Sequence, residues 1–132
     1  MASALILIVE DDASSRKLVR DVLQVKGYQT IESETAEEGL RLAKGQRPAL
    51  ILMDIQLPGM SGIEALQQLR ADPDTKMIPV IAVTASVMAG QQQKFLDAGF
   101  DALEGKPLSV MALLKKIQTL VDRVGRDGEA LV

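Results

Sequence analysis

Polar side chains with chemical capability stand where the apolar runs of this chain stop. Glu10 and Asp11 follow Leu5–Val9, Asp54 follows Leu50–Met53, Thr84 follows Val80–Val83 and Lys106 follows Ala102–Gly105. If the runs are strands of one parallel sheet, these residues meet at one edge. Carboxylates brought that close cannot all stay ionised without a compensating charge. A hard divalent cation suits them: Mg²⁺ takes one or two protein carboxylates and keeps waters and phosphate oxygens. Lys106 adds a compact positive charge, and Thr84 adds a hydroxyl. A carboxylate nucleophile, a metal and donors for equatorial oxygens are the parts of a phosphoryl-transfer site. Taken singly, Thr84 reads as a satisfied strand hydroxyl and Lys106 as a surface cation. Asp12 reads equally as a helix cap or as further negative charge. Asp54 behind a buried strand needs a partner under any reading.

Composition removes the main competing chemistries. The 132 residues contain neither His nor Cys. That excludes Ser-His-Asp and Cys-His catalysis, a His-ligated metal, an internal phosphohistidine and disulfides. Aromatic residues make up 2% and the net charge is −3, so there is neither a base-stacking platform nor a basic stripe for nucleic acid. The longest apolar run, Ala4 to Val9, is far too short to span a membrane and has no basic segment before it. A cytoplasmic protein without membrane or nucleic-acid contact is the expectation.

The elements that must position these residues alternate. Leu5–Val9, Leu50–Met53 and Val80–Val83 are short, continuous, β-branched-rich runs, the pattern of strands buried on both faces. Tyr28–Ser33 and Ala102–Gly105 are weaker strand candidates. Between them lie amphipathic stretches from about Ser14 to Lys26, Ala36 to Lys44, Ser61 to Ala71, Ala89 to Ala98 and Ser109 to Val124. Thr35 and Ser61 are placed to cap helices, and Gly27 and Gly99 to stop them. Residues 125–132 are polar enough to fray after a domain spanning 1–124. Five strand–helix pairs predict an α/β fold with a doubly wound parallel sheet, whose ligands bind outside the carboxyl ends of the strands.

The stretches Ile6–Asp12, Leu52–Gly62, Pro79–Ala85, Ala98–Asp101 and Lys106–Pro107, in that order and spacing, resemble the receiver domains of two-component response regulators. Each motif alone is weak; together they cover about Leu5 to Val124. The resemblance implies a flavodoxin-like (βα)5 fold with strand order 2-1-3-4-5. It implies Asp54 as phosphoacceptor and Mg²⁺ bound by Glu10, Asp11, Asp54 and the backbone carbonyl of Gln56. Thr84 and Lys106 would contact the phosphoryl group. The donor would be a phosphohistidine on a histidine kinase or histidine phosphotransfer protein, which would meet the first helix near Ser15, Arg16 and Val19. A downstream protein would read the phosphorylated form, and the molecule would be a monomer or weak homodimer.

Two positions depart from the family pattern. Leu103 stands where the family usually has Tyr or Phe, so the aromatic switch coupled to Thr84 is not carried over. Glu10 replaces the commoner Asp of the acidic pair. Gln56 and Ser86, at positions that govern water access in the family, are both uncharged. Other readings remain at this level: a pseudo-receiver that binds partners without phosphorylation, an aspartyl-phosphate phosphatase, and a flavin-binding flavodoxin. Gln56 stands where phosphatases of that kind carry a second Asp, and Glu10–Asp12 would repel a flavin phosphate. The chain is expected to carry no output domain, as either a stand-alone receiver, which its Met1 start favours, or one cut from a longer protein, and to be no enzyme beyond its own phosphorylation and dephosphorylation.

Overall fold

The structure, a computed structural model, describes residues 4–84, 89–105 and 109–130. Strands β1 (Leu5–Val9), β2 (Gln29–Ser33), β3 (Leu50–Asp54), β4 (Val80–Thr84) and β5 (Ala102–Gly105) form one parallel sheet in the order β2-β1-β3-β4-β5. Helices α1 (Ala13–Val25), α2 (Ala36–Gln46), α3 (Gly62–Ala71), α4 (Ala89–Ala98) and α5 (Val110–Ala130) follow the strands in turn. The expected doubly wound fold and strand order are therefore observed.

Side chains alternate across the sheet with the two-residue period of a strand. Ile6, Ile8, Leu50, Leu52 and Ile81 pack with Val19 and Leu23 of α1 and Leu113, Ile117 and Leu120 of α5. Leu7, Val9, Ile51, Met53, Val80 and Ala82 face the other way, onto α2, α3 and α4. Both faces of the central strands are thus covered, which is why those strands read as unbroken apolar runs. Phe95 and Phe100 meet edge to face, with centroids 6.5 Å apart, in the second of these layers.

The helix ends follow local chemistry. Asp12 is the N-cap of α1, its carboxylate accepting the Ser15 amide at 2.8 Å. That is the capping role, one of the two roles the sequence left open. Thr35 and Ser61 cap α2 and α3 by accepting the Glu38 and Glu64 amides. Gly27 and Gly99 end α1 and α4 at φ of 92° and 118°, a region that favours glycine.

Two helices outrun their predicted ends. α2 continues through Gly45 to Gln46 and stops only where Arg47 turns left-handed ahead of Pro48. α5 runs to Ala130 rather than stopping near Val124. Its last turns follow a strongly amphipathic helix, and propagation adds one hydrogen bond per residue once a helix is formed. Among the described residues, no helix is long and apolar enough to cross a membrane.

Candidate functional site

The chain runs from β1 outward to β2 and returns across β1 to β3, so the sheet order reverses between β1 and β3. Crevices at such reversals, beyond the carboxyl ends of the strands, are where open α/β sheets bind ligands. Val9 pairs with Met53 across this point. The next residue of each strand is therefore delivered side by side: Glu10 on one and Asp54 on the other.

Asp54 and Glu10 are 4% and 6% exposed, whereas Asp11 is open to solvent. One carboxylate oxygen from each of the three lies within 4.8 Å of the others. Asp54 Oδ1 accepts the backbone N–H of Gln56 at 2.9 Å, which fixes the carboxylate relative to the turn that follows β3. Beneath the carboxylates is a cavity of about 20 Å³ bounded mainly by aliphatic side chains, including Val19, Val83 and Leu113. An apolar floor strengthens every electrostatic interaction made above it.

Thr84 ends β4 and is 2% exposed. Its neighbours are fixed by register: Val83 pairs with Asp54, and Thr84 pairs with Gly105. The main chain thus brings Asp54, Thr84 and the residue preceding Lys106 to one edge. Lys106, Pro107 and Ser86 lie outside the described residues. Gln56 is placed two residues past Asp54, exposed at the mouth of the site.

Two supports of the site show their role only in the structure. Gly62 opens α3 so close to β3 that a Cβ there would stand 2.6 Å from the Asp54 carbonyl oxygen and 2.8 Å from the Ile55 Cα. Only a glycine immediately after a capping serine hints at this. Glu37 of α2 accepts the Met60 amide at 3.3 Å and so ties down the loop after Asp54. No local pattern links those two residues.

Of the three residues of α1 expected to face a kinase, Ser15 is half-buried while Arg16 and Val19 are largely enclosed. Val19 is 7% exposed and belongs to the core between α1 and α5. The Arg16 side chain is largely buried against Glu32 and Glu34. Lys17, Leu18, Asp21, Gln24 and Val25 are among the residues that α1 presents to solvent. The kinase-facing place of Val19 came from the family resemblance, whereas its apolar character already suits the buried stripe of α1. Leu103 is half-buried and packs against the α2–α4 side of the core, while Glu104 turns to the opposite face and meets Lys116 Nζ at 2.6 Å.

A five-stranded doubly wound sheet with a carboxylate cluster at its topological switch defines a class of small phosphoryl-accepting signalling modules. The chain belongs to the response regulator receiver domain family, whose model matches residues 6–118. It is 43% identical over 114 residues to the polar-differentiation response regulator DivK of Brucella anthropi, covering 86% of this chain and 93% of that one. The receiver domain of a Pseudomonas aeruginosa sensor histidine kinase superimposes with a TM-score of 0.84 at 30% identity, over 92% of this chain and 99% of that one. That domain has a magnesium ion coordinated in its active-site cleft. The chemotaxis protein CheY4 of Vibrio cholerae also gives 0.84, at 28% identity, over 90% of this chain and 99% of that one.

Proposed function

We propose that this chain is a phosphoacceptor response regulator in which Asp54 receives a phosphoryl group from a phosphohistidine of a histidine kinase or phosphotransfer protein. The observation that carries the reading is the convergence of Glu10, Asp11 and Asp54 oxygens within 4.8 Å at the switch point. The donor set fits Mg²⁺. It is all oxygen, it combines two buried carboxylates with one open to solvent, and it leaves a side on which waters and phosphate oxygens can complete the shell. Glu10, Asp11, Asp54 and the Gln56 carbonyl would hold the ion, which supplies charge neutralisation for the incoming phosphoryl oxygens.

In this mechanism an Asp54 carboxylate oxygen attacks phosphorus in line. The P–O bond forms as the donor P–N bond breaks, and the imidazole nitrogen keeps the electron pair and is protonated. The Gln56 amide restricts rotation of the nucleophile, so attack starts from a prepared orientation. Thr84 and Lys106 donate to the transferred oxygens. The phosphorylated form carries extra charge and acceptors at one edge, which biases the loops after β3 and β4 toward a second arrangement. A downstream protein binds that arrangement. With Leu103 in the strand beside Thr84, the change does not rest on an aromatic rotamer. The working unit is residues 1–124, it acts in the cytoplasm as a monomer or weak homodimer, and its only catalysis is its own phosphorylation and dephosphorylation.

Intact-mass measurement after incubation with a small phosphodonor and Mg²⁺ tests this. One phosphoryl adduct, lost in Asp54→Asn and on chelation, is the expected result. A folded, Mg²⁺-replete protein that forms no adduct would leave the family assignment standing and remove phosphoacceptance, the outcome a pseudo-receiver requires.

A further inference from the structure

Arg16 lies on the first turns of α1, yet its side chain is only 15% exposed and turns back to the carboxyl end of β1. Its Nη1 donates to the Glu10 carbonyl oxygen at 2.9 Å. Its Nη2 donates to Glu34 Oε1 at 3.2 Å, and its Nε lies 3.4 Å from Glu32 Oε1. One guanidinium therefore spans the end of β1, strand β2 and the turn before α2. The planar fork of Arg can hold three such directions at once, which a Lys ammonium on a flexible stem cannot.

The Glu10 carbonyl belongs to the peptide joining Glu10 to Asp11, the two carboxylate residues that β1 delivers to the site. The Glu10 amide is fixed as well, donating to the Ser33 carbonyl at 3.0 Å. Beyond Val9 the chain has left the β1–β3 ladder, which ends at the Val9–Met53 pair. Glu10 is thus held on both sides: its N–H, in the Val9–Glu10 peptide, bonds the end of β2, and its carbonyl, in the Glu10–Asp11 peptide, bonds Arg16. Glu32 and Glu34 balance the guanidinium, so it can stay at the acidic edge as a donor to the backbone.

We infer that Arg16 is a positioning residue for the metal site: by fixing the Glu10–Asp11 peptide it sets the Mg²⁺ affinity of the acidic edge. The inference rests on the proposed Mg²⁺ site. Partners that orient metal ligands typically contribute about 10- to 100-fold to metal affinity. Arg16→Gln also removes a positive charge beside the acidic edge, which by itself would favour a bound cation, so a loss of Mg²⁺ affinity reports geometry.

The test is calorimetric titration of Mg²⁺ into the whole chain and into Arg16→Gln and Arg16→Lys, with denaturant unfolding of each in chelator. Arg16→Gln is expected to weaken Mg²⁺ binding about tenfold, and Arg16→Lys, which can still reach one carbonyl, to fall between. A purely structural role would lower metal-free stability and leave the affinity of the folded protein unchanged; that result overturns the inference while the Mg²⁺ site stands. If Arg16→Gln does not fold, Arg16→Lys decides: weaker Mg²⁺ binding supports the positioning role, and unaltered binding overturns it. An unaltered chain that takes up no Mg²⁺ overturns both this inference and the site on which it rests.

Discussion

The two ends of the sheet handle charge in opposite ways. At the amino ends of β3, β4 and β5 each carboxylate is matched to a cation. Asp72 meets Lys44 at 3.5 Å, Asp74 meets Arg47 at 3.2 Å and Asp101 meets Arg70 at 3.0 Å. Arg70 also donates to the Lys76, Ile78 and Gly99 carbonyls, and Asp101 also accepts the Val80 amide. These contacts stitch α3 to the loops that begin β4 and β5. At the carboxyl ends, Glu10, Asp11 and Asp54 gather like charges within 4.8 Å of one another. One end spends its polar groups on closing loops, and the other concentrates them where a cation and a phosphoryl group can act. The two sets of side chains share no member, so stability and chemistry can be altered separately.

The largest effect separates them outright. Asp54→Asn is expected to abolish the phosphoryl adduct completely and to remove most of the stabilisation that Mg²⁺ confers. For the unaltered chain, Mg²⁺ at about 100 times its dissociation constant should raise unfolding free energy by about 2.7 kcal/mol. Chelator should take that away again. Denaturant unfolding with and without Mg²⁺ checks both statements; an equal Mg²⁺ response in Asp54→Asn would show that the ion does not bind at the acidic edge.

Arg70→Met should do the reverse. It removes the hydrogen bonds that close the amino end and leaves part-buried carbonyls and Asp101 short of donors. The expected cost is about 2–4 kcal/mol of stability. Mg²⁺ affinity and adduct formation per folded molecule should stay as they were. A variant that loses Mg²⁺ affinity in step with stability would mean that the two ends are coupled through α3.

Gly62→Ala is a smaller change that belongs to the carboxyl end although it introduces no charge. Its Cβ would press on the backbone of Asp54 and Ile55. Overpacking of this kind costs about 1–3 kcal/mol, and here the strain falls on the residue that carries the nucleophile. Slower adduct formation at saturating Mg²⁺, beyond any loss of folded protein, is the expected signature. A variant that is destabilised but phosphorylated at the original rate would show that the Asp54 backbone has room to yield.

The contrast between the ends was only half legible in the sequence. The carboxyl end could be read because each of its residues follows an apolar run, and a parallel sheet brings all such positions together. Glu10, Asp11, Asp54 and Thr84 needed only strand assignment to converge. The amino-end pairs connect residues far apart in the chain, on loops whose course depends on helix lengths. Arg47, for example, takes its place because α2 outlasts the expected stop near Lys44. Arg16 shows the same limit at the carboxyl end. As one more cation on an amphipathic helix it reads as surface, and only the approach of β2 reveals that it is enclosed by Glu10, Glu32 and Glu34. Val19 shows a different limit: its kinase-facing place was taken from the family resemblance, while its helical spacing among apolar residues agrees with the buried position it holds.

The mildest prediction asks whether the amino-end pairing is felt in solution. The Asp72 carboxyl is held below its usual range mainly by the backbone N–H of Asp74, partly opposed by desolvation and assisted by Lys44 and Arg47. A carboxyl whose folded pKa is depressed stabilises the native state at pH above its unfolded value, and that contribution is lost as pH falls through the folded value. Acid should therefore weaken the protein at this site only below the ordinary carboxylate range. Asp72→Asn should leave neutral-pH stability nearly unchanged, because solvent reaches this half-buried group and screens it, and should make the acid limb of the stability curve slightly less steep. The Mg²⁺ response at neutral pH should not differ from that of the unaltered chain. An identical acid limb in Asp72→Asn would show that the short loop hydrogen bond, unlike the Arg70 closure, is replaced by water at no cost.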